Sequence, residues 1–301
     1  MKIQNIHIII NPASGVGEPI LPVINASMKE FSIKWEAFIT HHAGDAAQFA
    51  RNAVHEKVDA LAVYGGDGTL AEAVSGLIGS ELPLIILPGG SANVMATELG
   101  IPIDLKEACA LLGPGASETK TIDVGQFKKR YFIVGISLGF ESDIVKGAKR
   151  EIKNKIGVFA YLLSAFAALR KIKKTVYHLN IDGQKHDVQG LTCVITNTGH
   201  IGFSNISFDQ RIDVSDGFLD VLVVQKEKIS LFKLIVKLVV VDLLKWEHPE
   251  NLELVAHWRG KDIHVFSSPK QTIQCDGEVL ENAHLHIKII PGAIKVVVKK
   301  M

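Results

Sequence analysis

An apolar run from Ala60 to Tyr64 ends in Gly65-Gly66-Asp67-Gly68-Thr69, and a helix-compatible stretch continues to Leu77. Strand, glycine turn and helix start, in that order, constrain the chain more than any other feature. Without a Cβ, Gly65, Gly66 and Gly68 permit positive φ and a close approach of backbone to ligand. The first N–H groups of the helix have no intrahelical acceptor and favour an anion in front of them. Asp67 in the middle of the turn repels a phosphate directly, which points to a cation, most simply Mg²⁺, between its carboxylate and the phosphate oxygens. A tight βα turn in which Asp67 only caps the helix is the other use of these residues.

With 301 residues, 47% of them hydrophobic, the chain suits one large or two ordinary domains with a buried core. A net charge of +1 supplies no global field towards nucleic acid, and no nucleic-acid partner is expected. Basic residues do cluster between Lys146 and Lys174, opposed only by Glu151, as a solvated helix face or a surface for anionic lipid or nucleotide. Cys109, Cys193 and Cys275 have no disulfide or zinc spacing, and a reducing cytoplasm is expected. The apolar stretch Ile6 to Ile10 is too short for a secretion signal and reads as a first strand. The most hydrophobic segment, Ile229 to Leu244, contains Lys233, Lys237 and Asp242 and falls short of a membrane span.

Up to Ile122, β-branched runs (Ile3 to Ile10, Lys34 to Ile39, Ala60 to Tyr64, Leu84 to Leu87) alternate with helical stretches near Ile20 to Phe31, Gly44 to Lys57 and Thr69 to Gly79. Such alternation predicts an α/β unit, residues 1–122, with a parallel sheet whose ligand edge lies at the carboxyl ends of the strands. From Asp123 the strand candidates crowd together: Arg130 to Ser137, Thr175 to Ile181, Leu191 to Thr196, Phe218 to Val224, Ile263 to Phe266 and Ile294 to Val298. Residues 123–301 therefore read as a mostly antiparallel β-rich domain, interrupted by helical stretches at Ile156 to Lys171 and Ile229 to Trp246. The junction near Ile122 reads as a hinge, with the active site in the interdomain cleft.

Asn11-Pro12-Ala13-Ser14-Gly15 follows the first strand and Pro88-Gly89-Gly90-Ser91-Ala92-Asn93 the fourth, so three phosphate-compatible loops share one sheet edge. With Asp123-Val124-Gly125 and Asp276-Gly277-Glu278 added, the order of motifs resembles the diacylglycerol kinase catalytic family, which includes sphingosine and ceramide kinases and soluble bacterial lipid kinases. The resemblance covers nearly the whole chain. NAD kinases and phosphofructokinases share the glycine-aspartate turn, but Leu99-Gly100-Ile101-Pro102 after the fourth-loop motif and Asp216-Gly217-Phe218-Leu219-Asp220 are typical of the lipid kinases. An NAD kinase is expected to carry an Asn-Glu motif after the turn and a different second domain.

The resemblance implies ATP on the first domain and Mg²⁺ beside it. Asn11, Ser14, Gly66, Thr69 and Ser91 are the nucleotide-contact candidates, with the turn residues Gly65 and Gly68, the fourth-loop Asn93, and Thr40 and Glu72 behind them. Asp67 organises the metal through water, and Asp123 resembles a second member of that network. Glu278 resembles the general base that accepts the lipid hydroxyl proton, with Asp276 structural. Asp213, Asp216 and the Phe218 carbonyl resemble a loop that holds a structural Mg²⁺ in bacterial relatives, and an ordinary aspartate-glycine turn is the alternative. His41-His42 in a loop, and His284 and His286 on one strand face, read as surface or edge histidines.

Two departures stand out. Val94 takes the place where several relatives carry an aspartate, and Phe203 to Arg211 replaces a glycine-rich, proline-containing loop. The expectation is an ATP-dependent lipid kinase that visits membranes peripherally, in which the two helical stretches rest on the bilayer or pack in the core. A homodimer is compatible with it. A catalytically weak lipid- or nucleotide-binding protein on the same scaffold is the reading from another class. The acceptor stays open among diacylglycerol, sphingoid base, ceramide, phosphatidylglycerol and isoprenoid alcohol, because lipid pockets are lined by generic apolar side chains.

Overall fold

A computed structural model describes residues 3–15, 19–139, 174–200, 212–225, 255–276, 278–280 and 284–300. The expected helices at 156–171 and 229–246, the basic run up to residue 173, the 203–211 loop and Gly277 lie outside the described residues.

The first unit alternates as expected: β1 (Asn5–Ile10), α1 (Ile20–Glu30), β2 (Lys34–Ile39), α2 (Asp45–Glu56), β3 (Ala60–Gly65), α3 (Asp67–Leu77), β4 (Leu84–Pro88), then the short α4 (Val94–Glu98) and α5 (Leu105–Ala110). β1 pairs in parallel with β2 and β3, and β3 with β4. β3 is buried along its whole length, which its unbroken apolar sequence allows. In α2, Ala46, Ala47, Ala50 and Ala53 make a buried face of small side chains. α3 packs closely on that face at Gly76, where a Cβ would come within 2.4 Å of the Ala47 carbonyl oxygen.

The rest of the described chain is strand: β5 (Ser117–Phe127), β6 (Arg130–Phe132), β7 (Gly135–Leu138), β8 (Thr175–Ile181), β9 (Gln184–Gly190), β10 (Thr192–Thr196), β11 (Leu219–Val224), β12 (Val255–Gly260), β13 (Asp262–Ser268), β14 (Ile273–Cys275), β15 (Glu278–Leu280) and β16 (Leu285–Lys299). One sheet runs β12-β11-β10-β7-β14-β15 and is antiparallel throughout. The other runs β2-β1-β3-β4-β16-β13-β8-β9, with β5 and β6 attached through β16. The architecture is the expected one, a parallel α/β unit followed by an antiparallel β-rich unit.

At the junction Ile122 lies in the middle of β5, opposite a register shift in β16 between Ile290 and Ile294. β16 pairs antiparallel with β5 from Ile287↔Phe127 to Lys299↔Ser117, and its distal half touches β4 in parallel at Val296↔Leu84. Val214, Ile294, Val296 and Val297 belong to the core of the first unit, although they follow residue 123. The second core gathers Phe132, Ile136, Tyr177, Ile195, Val221, Ile263 and Ile287.

Asp123 braces this junction. It is 2% exposed, and its two carboxylate oxygens accept the N–H groups of Gly217 at 2.6 Å and Gly292 at 2.7 Å. Its own N–H donates to the Val214 carbonyl at 2.7 Å, and the Asn197 amide donates to its carbonyl at 3.0 Å. One residue thus ties β5, the 212–218 loop, the irregularity in β16 and the end of β10. Asp123→Ala is expected to cost about 2–3 kcal/mol of stability, because donors are left without a charged acceptor. Urea unfolding measures this, and an unchanged midpoint would take Asp123 out of the joint.

Candidate active site

The carboxyl ends of β1, β3 and β4 are stitched into one surface by their loops. Asn11 N–H donates to the Tyr64 carbonyl at 3.0 Å, Gly89 N–H to Gly65 at 3.0 Å and Gly15 N–H to Gly89 at 2.7 Å. The Asn11 amide donates to Thr69 Oγ1 at 2.8 Å, while its Oδ1 accepts Ala13 N–H at 2.9 Å. The turn glycines do not use the positive φ that their composition permits. They serve close approach instead. A Cβ on Gly90 would stand 2.5 Å from the Gly66 Cα, so the loops after β3 and β4 meet backbone to backbone.

Asp67 opens α3 after Gly66, an N-cap that offers no side chain, so the first-turn N–H groups of α3 face the loops uncapped. Its carboxylate reaches sideways to the start of α4, where Oδ2 accepts Val94 N–H and Oδ1 accepts Met95 N–H, both at 3.1 Å. Each oxygen keeps a lone pair. Asn93, 7% exposed at φ 48°, closes its own loop by accepting Gly90 N–H at 2.8 Å and donating to the Gly90 carbonyl at 3.0 Å. That commits Asn93 to shaping the loop rather than to a nucleotide contact. Glu72 is likewise committed, for its Oε1 accepts Ala46 N–H at 2.9 Å and fills the anion position at the start of α2. Ser14, Thr40, Thr69 and the exposed Ser91 stay at the loop edge.

The second unit brings its own carboxylates. Asp276 accepts N–H groups from Ile133 at 2.9 Å, Val134 at 3.1 Å and Gly135 at 2.9 Å. Burial pushes its carboxyl up to about 7 against those donors, and the nearby Asp67 carboxylate adds to the push. α3, which Asp67 opens, packs against β6, and the donors to Asp276 follow directly after β6, so both units contribute to the site. Glu278, exposed at the start of β15, pairs with Arg130 Nη1 at 2.9 Å. Sequence reasoning missed Arg130, whose one signal is the basic triplet Lys128-Lys129-Arg130 before a strand.

Charge balance separates two classes of carboxylate. Among the described residues, neither Asp67 nor Asp276 pairs with a basic side chain, and the half-buried Asp67 with spare lone pairs fits a divalent cation held through water. Asp123, 2% exposed with a backbone donor on each oxygen, is more deeply enclosed than Asp67 and is held within the joint. The 213–218 loop does not fit a structural Mg²⁺. Asp213 Oδ1 accepts from Ser215 N–H at 2.9 Å and Ser215 Oγ at 2.6 Å and faces Lys120 Nζ at 3.3 Å, while Asp216 pairs with Arg259. Phe218 contributes its N–H, donated to Asp216 Oδ1 at 3.0 Å, and a ring face beneath Arg259 and Lys261. Two side-chain cations balance this loop.

Two further pairs escaped sequence reasoning. Glu98 at the end of α4 accepts His200 N–H at 3.0 Å and meets its Nδ1 at 2.7 Å, which links the fourth loop to the chain after β10. Buried Asp220 meets His257 Nε2 at 2.5 Å and Arg259 Nε at 3.3 Å. Neither pair has a local sequence pattern. A surface hollow of about 330 Å³ lined by Val54, Asp59, Glu81 and Pro83 sits at the opposite, amino end of the parallel strands and is separate from this site.

Comparison with known proteins agrees with this fold. The diacylglycerol kinase catalytic domain matches residues 5–127, and the YegS C-terminal NAD kinase beta sandwich-like domain matches residues 135–298. The chain belongs to the diacylglycerol kinase catalytic-domain family. Similar chains include a diacylglycerol kinase of Staphylococcus carnosus, 28% identical over 90% of this chain and 88% of its own length. One of Staphylococcus aureus strain Newman is 29% identical over 90% and 85%. An uncharacterized protein of Synechocystis is 27% identical over 98% of this chain and 70% of its own. The fold is similar to the crystal structure of a diacylglycerol kinase from Bacillus anthracis str. Sterne, with a TM-score of 0.75 at 24% identity over 99% of this chain and 98% of that one. The second matched domain is itself described by likeness to NAD kinases, so the separation from them rests on the first.

In this member of the diacylglycerol kinase family, the Asp276 carboxyl carries a pH signature. Its folded pKa lies above the ordinary 3.8, so the folded chain binds more protons than the unfolded one between about pH 4 and 7. Its contribution to stability is therefore greatest in acid and declines as pH rises through that window. Asp276→Asn is expected to flatten the urea-unfolding profile there by roughly 1–3 kcal/mol, and Asp67→Asn to lower the Asp276 pKa. A wild-type and Asp276→Asn pair with parallel profiles would contradict this.

Proposed function

We propose that the chain transfers the γ-phosphate of ATP to a hydroxyl of a lipid, with diacylglycerol the leading acceptor. The observation that carries this reading is the pair of carboxylates that meet no basic side chain among the described residues, Asp67 from the first unit and Asp276 from the second, beside the uncapped start of α3. A phosphoryl donor brings the opposite requirement, a polyanion that needs N–H donors and a shared cation. The names of the staphylococcal relatives support the choice of acceptor class.

Each part has a role that its surroundings allow. The first-turn N–H groups of α3, with Thr69, Ser14 and Ser91, bind and orient the phosphates. Asp67 holds Mg²⁺, which when bound offsets the negative charge that builds up in transfer. Glu278, free in the solvent apart from Arg130, accepts the proton of the acceptor hydroxyl. No helix among the described residues is long and apolar enough to cross a membrane.

The test is transfer of radiolabelled γ-phosphate from ATP and Mg²⁺ into a total lipid extract, followed by mass analysis of the labelled product. Glu278→Gln and Asp67→Asn are each expected to lower the rate by about 10²–10⁴-fold with an unchanged circular dichroism spectrum. ATP binding without any labelled lipid would sink the lipid-kinase reading in favour of a binding protein or a non-lipid acceptor such as NAD.

A further inference from the structure

On the outer face of the second unit, β13 and β16 run antiparallel with His264 directly across from His286 and Asp262 across from Lys288. The other face of these strands is core, with Ile263, Val265, Leu285 and Ile287 at 0% exposure. Strand alternation therefore locks the aspartate and both histidines onto one outward face. Asp262 Oδ1 lies 2.9 Å from His286 Nε2 and 3.2 Å from His264 Nε2. The two imidazoles stack with centroids 3.9 Å apart and planes inclined by 13°. One ligand atom from each of the three residues lies within 4.8 Å of the other two.

Neighbouring ligands on a tetrahedral zinc ion stand roughly 3.3 Å apart, given metal–ligand bonds of about 2.0 Å. Both aspartate–histidine separations already match that spacing. Two imidazoles and one carboxylate suit zinc, nickel or copper better than the hard Mg²⁺ of phosphoryl transfer. We propose that Asp262, His264 and His286 form a surface binding site for a borderline divalent transition-metal ion, with Zn²⁺ the best match. His284, exposed on the same face with its ring edge-on to His264 at 6.0 Å, is the neighbour placed to complete the shell. Lys288 Nζ stands 3.1 Å from Asp262 Oδ2 and competes for that oxygen, which leaves Oδ1 to the ion. The thiols do not compete: all three cysteines are buried, and burial pushes Cys109 up to about 11 and Cys275 up to about 12.

The experiment is titration of the metal-stripped full chain with Zn²⁺ and Co²⁺ in excess Mg²⁺, read by calorimetry and by the visible ligand-field bands of Co²⁺. One equivalent is expected to bind with the intense bands of a low-coordinate cobalt site. His264→Ala and His286→Ala are each expected to weaken it by at least the ~10–100-fold seen on losing a mere supporting residue of a metal site. A His41→Ala/His42→Ala variant is expected to bind as the unmodified chain does. The proposal is overturned if no equivalent binds, if both β-strand histidine variants keep full affinity, or if the His41/His42 variant is the one that loses it. Circular dichroism of each variant separates lost ligation from lost fold, and kinase activity plays no part in the readout.

Discussion

Carboxylates that accept backbone N–H groups hold the joints of this molecule. Asp123 takes Gly217 and Gly292, Asp67 takes Val94 and Met95, and Asp276 takes Ile133, Val134 and Gly135. Away from the site, Asp182 does the same for Lys261 and Asp262, and Asp59 for Gln4 and Asn5. Loops that leave a sheet lose their ladder partners, and each buried donor needs a replacement acceptor. A charged oxygen is the stronger replacement, and one side chain serves two or three donors at once. The arrangement of loops around the site is largely the sum of these contacts.

The same bonding creates the chemistry. An aspartate used as a backbone acceptor brings a negative charge that its neutral partners only partly offset. At the 213–218 loop, Lys120 and Arg259 finish the balance. At Glu278, Arg130 does. Between Asp67 and Asp276 no basic side chain among the described residues intervenes, and the Asp67 carboxylate adds to the cost of ionising Asp276. A site with surplus negative charge beside uncapped helix N–H groups is suited to a metal-bound polyphosphate, whose cation answers the carboxylates and whose oxygens answer the amides.

The alternating unit was legible because its signals are local. The Ala60–Tyr64 run, the glycine turn and the four-strand rhythm each occupy a few consecutive residues, and the structure places β1 to β4 within a few residues of expectation. The strands that escaped notice lack such signals. β9 reads Gln-Lys-His-Asp-Val-Gln-Gly, and its pairing with β8 is made by tertiary context rather than propensity. β5 exposes most of its first half, which hides an eleven-residue strand behind a polar sequence. Site residues divide the same way. Motif aspartates were visible as aspartates, but whether an oxygen meets a metal or an amide depends on partners up to 169 positions away, as for Asp123 and Gly292. Arg130, Glu98 with His200, and Asp220 with His257 exist only as long-range pairs.

The shared sheet also limits how the two units can move. Ile122 faces Ile294 across a ladder that runs from one unit into the other, at the edge of the register shift in that ladder. Rotation of one unit about that point breaks consecutive β5–β16 hydrogen bonds, whose donors are then left without partners. The ladder is interrupted only between Ile290 and Ile294, where the register shifts. Irregularities of this kind are where strands bend. Gly292, inside that interruption, is the residue that Asp123 grips. Asp123 therefore holds the one interrupted stretch of the ladder that joins the two units.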